Sequence, residues 1–198
     1  MKIKRLICGS LESNCYIIFH SKGGQCYIID AGGKGKEIVE FVKAEGLTPK
    51  AVISTHHHYD HTDDAEYVTN AVDCPHYMHR TDSYMYRGKV QHLMEDGDII
   101  MLEDEELKVV NTPGHTYGSI CLISEKSKVA FTGDTLFDED IGRTDLKDGN
   151  DLQMQESLKH LDKLLANDIS IYPGHGESVT MKYVRNTNSY FNEYIRRK

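Results

Sequence analysis

Ala51-Val52-Ile53-Ser54-Thr55-His56-His57-His58-Tyr59-Asp60-His61 joins a short apolar run to a dense group of histidines. Ala51 to Ser54 form an apolar run too short for a helix, so it reads as a strand that delivers the chain into a histidine cluster. Side chains alternate at the end of a strand, so His56 and His58 project to one side and His57 to the other. Asp60 and His61 follow in the turn. Four potential metal ligands, His56, His58, Asp60 and His61, thus fall within six residues.

Upstream, Tyr16–Phe19 and Cys26–Ile29 are β-branched and aromatic runs separated by Ser21-Lys22-Gly23-Gly24, a hairpin signal. The second run halts at Asp30-Ala31-Gly32-Gly33. Ile38, Val39, Phe41 and Val42 then recur at helical spacing until Gly46. Downstream, strand-like runs cover Asp98–Leu102, Leu107–Asn111, Ile120–Ile123, Val129–Phe131 and Ile169–Tyr172. A helix follows Asn150, with Met154, Leu158, Leu161 and Leu165 as its apolar stripe, and the chain around Met181–Ile195 reads as helical. No linker, low-complexity tract or internal repeat interrupts the pattern. Strands punctuated by helices in two halves predict sheets packed together and covered by helices, an α/β architecture.

Three further motifs extend the histidine cluster. Thr112-Pro113-Gly114-His115-Thr116, Thr132-Gly133-Asp134-Thr135 and Tyr172-Pro173-Gly174-His175-Gly176 each place one His or Asp just after an apolar strand. Ligands at strand ends are held by rigid elements, as a preorganised site requires. His20, His76, His79, His92 and His160 carry no such context and read as polar surface residues. The competing reading is a structural zinc site, but those are closed, four-coordinate and rich in cysteine. Here the ligands outnumber one ion's needs and include no cysteine, and mixed imidazole and carboxylate suit one or two catalytic ions with open positions.

The five cysteines, Cys8, Cys15, Cys26, Cys74 and Cys121, form no C-x-x-C pair and lie in or beside apolar runs, where Cys acts as a small buried hydrophobe. The 198 residues suit one domain, or one fold of two packed halves, and the 39% hydrophobic and 27% charged content is ordinary for a soluble protein. A net charge of −8 argues against nucleic acid or an anionic membrane as partner. The N-terminal apolar stretch is too short for a signal peptide's core, and no run approaches a membrane span, so cytoplasmic localisation is expected.

In order along the chain, T-H-x-H-x-D-H, a glycine-flanked His, G-D-T and P-G-H-G resemble the metallo-β-lactamase superfamily pattern. The resemblance begins at Asn14-Cys15-Tyr16 and Ile29-Asp30-Ala31-Gly32 and covers nearly the whole chain. It implies a four-layer αββα sandwich: two mixed β-sheets packed face to face with helices outside, in one domain spanning residues 1–198. It implies that His56, His58 and His115 hold a first metal, that Asp60, His61 and His175 hold a second, and that Asp134 bridges them. His57 falls at the variable position. Asp30 resembles a buried acid supporting the ligands, and Asp60 and Asp134 are the residues implied to serve catalysis directly. Two divalent ions are implied, zinc first, with iron or manganese also compatible with these donors.

The spelling Pro113-Gly114-His115-Thr116-Tyr117-Gly118-Ser119 and Phe131-Thr132-Gly133-Asp134-Thr135-Leu136-Phe137 looks like glyoxalase II and its short bacterial relatives. Ile141-Gly142-Arg143-Thr144-Asp145 looks closer to those relatives and to persulfide dioxygenases than to full-length glyoxalase II. The further C-terminal helical domain of full-length glyoxalase II is expected to be absent. The implied reaction is hydrolysis of a small acyl thioester by a metal-bridging hydroxide. A mononuclear iron persulfide dioxygenase-like oxidoreductase is the alternative. Arg143 is expected either to steady a local carboxylate or meet an acidic substrate, or to form a surface salt bridge. Where the pattern usually continues with small residues, His61 runs into Thr62-Asp63-Asp64, and Thr62 or Asp63 is expected to cap the next helix.

Overall fold

The computed structural model describes residues Met1–Arg197 and divides into two compact units, Met1–Met94 with Met101–Glu105, and Glu95–Ile100 with Glu106 onward. Each unit carries a six-stranded mixed sheet and its own helices, in agreement with the expected α/β fold.

In the first sheet, β1 (Lys2–Cys8), β2 (Ser13–Phe19), β3 (Gln25–Ile29), β4 (Thr48–Ser54), β5 (His76–His79) and β6 (His92–Met94) follow one another in space as in sequence. The β1–β2 and β2–β3 pairs are antiparallel, and the Ser21–Gly24 hairpin makes the second turn. From β3 onward the pairing is parallel, so each strand returns through a crossover: α1 (Gly35–Ala44), then α2 (Tyr59–Thr62) and α3 (Ala65–Val72), then the short α4 (Arg80–Ser83). One face of this sheet packs Cys15, Ile17, Cys26, Ile28 and Val52 against Ile38 and Val42 of α1 and Ala65 and Val68 of α3. β2 is buried along its whole length, Ser13 and Asn14 included, whereas the edge strand β1 is mostly exposed or half-buried.

In the second sheet the order is β12 (Val179–Thr180), β11 (Ser170–Pro173), β10 (Val129–Gly133), β9 (Ile120–Ser124), β8 (Glu105–Asn111) and β7 (Ile99–Leu102). Only β10–β11 is parallel among the registered pairs, and its crossover is α5 (Asp151–Leu164). The α5 stripe of Met154, Leu158 and Leu161, continued by Leu165, is buried against Val110, Cys121, Ala130 and Ile171, as its spacing predicts. Asn150 caps the helix by accepting from the Gln153 N–H at 3.0 Å.

Four expectations need correction or sharpening. The helical stretch near Met181–Ile195 is two helices, α6 (Met181–Thr187) and α7 (Ser189–Arg196), broken at Asn188. Neither Thr62 nor Asp63 caps α3; its first residue follows Asp64, whose carboxylate instead accepts from the Gly35 N–H at 2.6 Å. Thr62 donates its hydroxyl to the His58 carbonyl at 3.0 Å. His76 and His79 are not surface residues: both are buried on β5. All five cysteines are free, four of them buried, and burial pushes the Cys26 and Cys121 thiols up to about 12. Among the described residues no helix is long and apolar enough to cross a membrane.

Candidate metal centre

The first unit presents its ligand candidates where β4 ends. Parallel pairing sets Ile29 of β3 against Ile53 of β4, so Asp30 emerges beside Thr55 and His56. Asp30 is buried and sits in the left-handed region at φ 57°, a conformation that Asp tolerates better than most residues. Its Oδ1 accepts from the Thr55 N–H at 2.7 Å, and its Oδ2 accepts from the Thr55 hydroxyl at 2.8 Å and from His61 Nδ1 at 3.0 Å. Thr55 Oγ1 in turn lies 3.1 Å from His56 Nδ1. With the threonine hydroxyl committed to Asp30, its oxygen is the acceptor for the imidazole N–H. One buried carboxylate thereby fixes two rings, with Nδ1 protonated on each and Nε2 left as the atom that could meet an ion.

The rings themselves converge: His56 lies 4.4 Å from His61 and 4.8 Å from His58 between centroids. Asp60 Oδ2 is 3.4 Å from His61 Nε2. The Asp60 backbone is gripped as well, because its carbonyl accepts from Ser13 Oγ at 2.6 Å and abuts Gly32, where any Cβ would lie 1.5 Å from that oxygen. Only glycine fits at position 32.

His57 has a carboxylate partner of its own. Its main-chain N–H and its Nδ1 both meet Asp82 Oδ2 at 2.9 Å, and Asp82 is buried. The ring of His57 nonetheless stays 4.9 Å from that of His58 between centroids, so alternation at the strand end does not separate these two rings. Asp82 itself escaped the sequence, since it lies in α4 after a different strand. The register Ser54↔Met78 between β4 and β5 brings the two loops side by side, and no spacing pattern signals that.

In the second unit three candidate donors stand at the ends of strands. His115 Nε2 lies 3.4 Å from Asp134 Oδ2, and His175 Nε2 lies 3.5 Å from the same oxygen. His115 Nδ1 donates to the Arg143 carbonyl at 2.8 Å, again leaving Nε2 as the donor atom for an ion. Gly142 makes this possible, because a Cβ there would lie 1.6 Å from the Asp134 carbonyl oxygen. The Arg143 side chain is exposed and pairs bidentately with Asp145 at 2.7 and 2.8 Å, so that it steadies a local carboxylate within a surface salt bridge and holds that carboxyl down at about 2. Its link to the site runs through its main chain.

These donors fit a divalent ion. The Nε2-to-carboxylate separations of 3.4, 3.4 and 3.5 Å exceed the usual N–H···O range of about 2.7–3.2 Å. They match the roughly 3.3 Å between neighbouring ligands on a tetrahedral zinc with bonds of about 2.0–2.1 Å. Imidazoles oriented through Nδ1, carboxylates and no thiolate make a set for borderline or hard ions at an open site.

A model described as the metallo-β-lactamase superfamily matches residues 8–175. A probable metallo-hydrolase of Bacillus subtilis (strain 168), YqgX, is 30% identical, with 98% of this chain and 99% of that protein covered. Hydroxyacylglutathione hydrolase GloC of Haemophilus influenzae is 26% identical over 97% of this chain and 99% of its own length. Among solved structures, BLEG-1 B3 metallo-β-lactamase is similar at TM-score 0.89 and 26% identity, covering 95% of this chain and 98% of that one. TTHA1623 in a di-iron-bound form is similar at TM-score 0.84 and 26% identity, covering 94% and 98%.

Proposed function

The chain belongs to the metallo-β-lactamase superfamily, and from that premise we propose that it is a metal-dependent hydrolase of small acyl thioesters. The observation that carries the reading is the full second ligand set. Asp60 and His61 are built and supported in one unit, and His175 stands beside Asp134 in the other. A mononuclear site has no need for all of them. The likeness to hydroxyacylglutathione hydrolase GloC supports the thioester as substrate.

In this reading His56, His58 and His115 would hold one ion, Asp60, His61 and His175 would hold the other, and Asp134 would serve both. Bound divalent ions supply Lewis acidity and lower the pKa of a coordinated water from 15.7 toward about 7. The chain's own residues do the rest. Asp30 and Thr55 keep His56 and His61 in one tautomer, and the Arg143 carbonyl does so for His115. Ser13 and Gly32 fix the Asp60 main chain, so that its carboxylate can orient the attacking water. Zinc is the leading ion; the di-iron form of a similar protein keeps iron in view.

The competing reading is a persulfide dioxygenase-like oxidoreductase on a single iron, which resembles this chain at Ile141–Asp145 and retains nearly all these residues without filling a second site. A zinc-loaded sample is expected to release free thiol from a lactoylthioester without oxygen. Inertness there, together with oxygen consumption by the iron-loaded protein on a persulfide, would sink the thioesterase reading.

A further inference from the structure

Beside His58, in the first unit, lies an open groove of about 510 Å³, within the roughly 300–1,000 Å³ typical of small-molecule sites. Its walls are uncommonly well built for an exposed surface. Tyr86 forms one of them, its ring packed edge-on against the buried His76 ring at 5.1 Å between centroids and 86° between planes. On its other side the ring lies against Gly88, where a Cβ would approach its atoms to 2.5–2.6 Å. His76 is itself pinned, with Nε2 2.8 Å from Ser54 Oγ. The imidazole of His57, held by Asp82, lines the groove next to His58, and exposed Tyr59 and Met85 add apolar surface.

The groove also carries both signs of charge. Arg87 lines it with no ion pair to any described residue, and so do Asp63 and Glu66. The two acids lie close enough to Tyr86 to add to the effect of burial, the larger cause, in raising its hydroxyl pKa. A cation and two carboxylates left unpaired in one groove suit a ligand with both an anionic group and an ammonium. They disfavour a carrier bearing several phosphates, which the acids would repel.

We propose that this groove seats the thiol-carrier portion of the substrate and selects a small amphoteric carrier, its anionic group on Arg87 and its ammonium toward Asp63 and Glu66. The identity of the ligand as a thiol carrier rests on the thioesterase reading; the charge selection does not. Remote contacts of this kind contribute binding energy that can be used at the reacting carbonyl.

The test uses the zinc-loaded full chain and S-methylated cysteinylglycine, whose thioether cannot form a thiolate on the metals. Calorimetric titration is expected to show binding that weakens about fivefold when the peptide's carboxylate is amidated, the scale of one exposed ion pair. Acetylating its amine should cost a similar factor. Arg87→Ala should erase the first cost and leave the second, and Glu66→Gln should reduce the second and leave the first. Both residues are exposed, so neither variant threatens folding. Equal affinity for the three peptides, or charge costs that persist in both variants, would overturn the proposal. If lactoylthioesters are not hydrolysed while the charge costs behave as expected, the groove stands and the thioesterase reading falls.

Discussion

At the end of β4, adjacent imidazoles face different partners: His57 is bound to Asp82, and His58 leads into α2 beside His56. His58→Ala is therefore expected to lose metal and to drop activity more than about 100-fold, beyond the usual effect of losing a supporting residue. His57→Ala should keep its metal stoichiometry. Metal analysis of the purified variants decides, and equal loss in both would refute the side-chain direction assigned here. Asp30→Asn keeps the shape but removes the charge that organises Thr55, His56 and His61, and should weaken metal binding by about 10–100-fold. His76 supplies a pH test away from the ligands. Burial depresses it from an ordinary 6.5 to about 4, so the unfolded chain binds its proton first as pH falls. Its contribution to stability is complete above about 6.5 and is lost as pH drops toward 4, amounting to about 3 kcal/mol. Denaturant titrations from pH 7 to pH 4 should show this loss in the wild type and a flatter profile in His76→Gln.

Among the elements, those with a strong period were legible in advance, such as the hairpin of β2 and β3 and the stripe of α5. The short elements were not. β5, β6 and α4 each span only three or four residues, and their places are fixed by neighbours rather than by their own pattern. His76 looked like a surface residue for that reason, since parallel pairing with β4 buries it. The break between α6 and α7 was equally hidden. Asn188 is a good helix cap whose side chain accepts from the Phe191 N–H at 2.8 Å. Buried, it also donates to the Asp140 carbonyl at 2.8 Å, which ties the C-terminal helices to the loop that follows Asp134. Asn188→Ala should cost about 2 kcal/mol, from a lost cap and an unsatisfied carbonyl, and lower Tm by several degrees. A shift below one degree would remove Asn188 from the determinants of that turn.

On the scale of the whole molecule, each unit has a hydrophobic core of its own, one gathered on α1 and α3 and the other on α5 to α7. The proposed ligands are shared unequally between the units, with His56, His58, Asp60 and His61 in the first and His115, Asp134 and His175 in the second. Ions that bind only the folded state stabilise it by about 4 kcal/mol at a thousandfold excess over Kd. If the two sets serve the same ions, that stabilisation belongs to both units at once. Chelation should then lower the hydrogen-exchange protection of both sheets, and added zinc should restore both together. His58→Ala should blunt the zinc response of β9 and β10, although it lies in the other unit, and His175→Ala should blunt that of β3 and β4. Zinc that protects one sheet and leaves the other unchanged would show that the ligand sets do not share their ions. The binuclear hydrolase would then lose its basis, whereas the Nδ1 supports within each unit would remain as described.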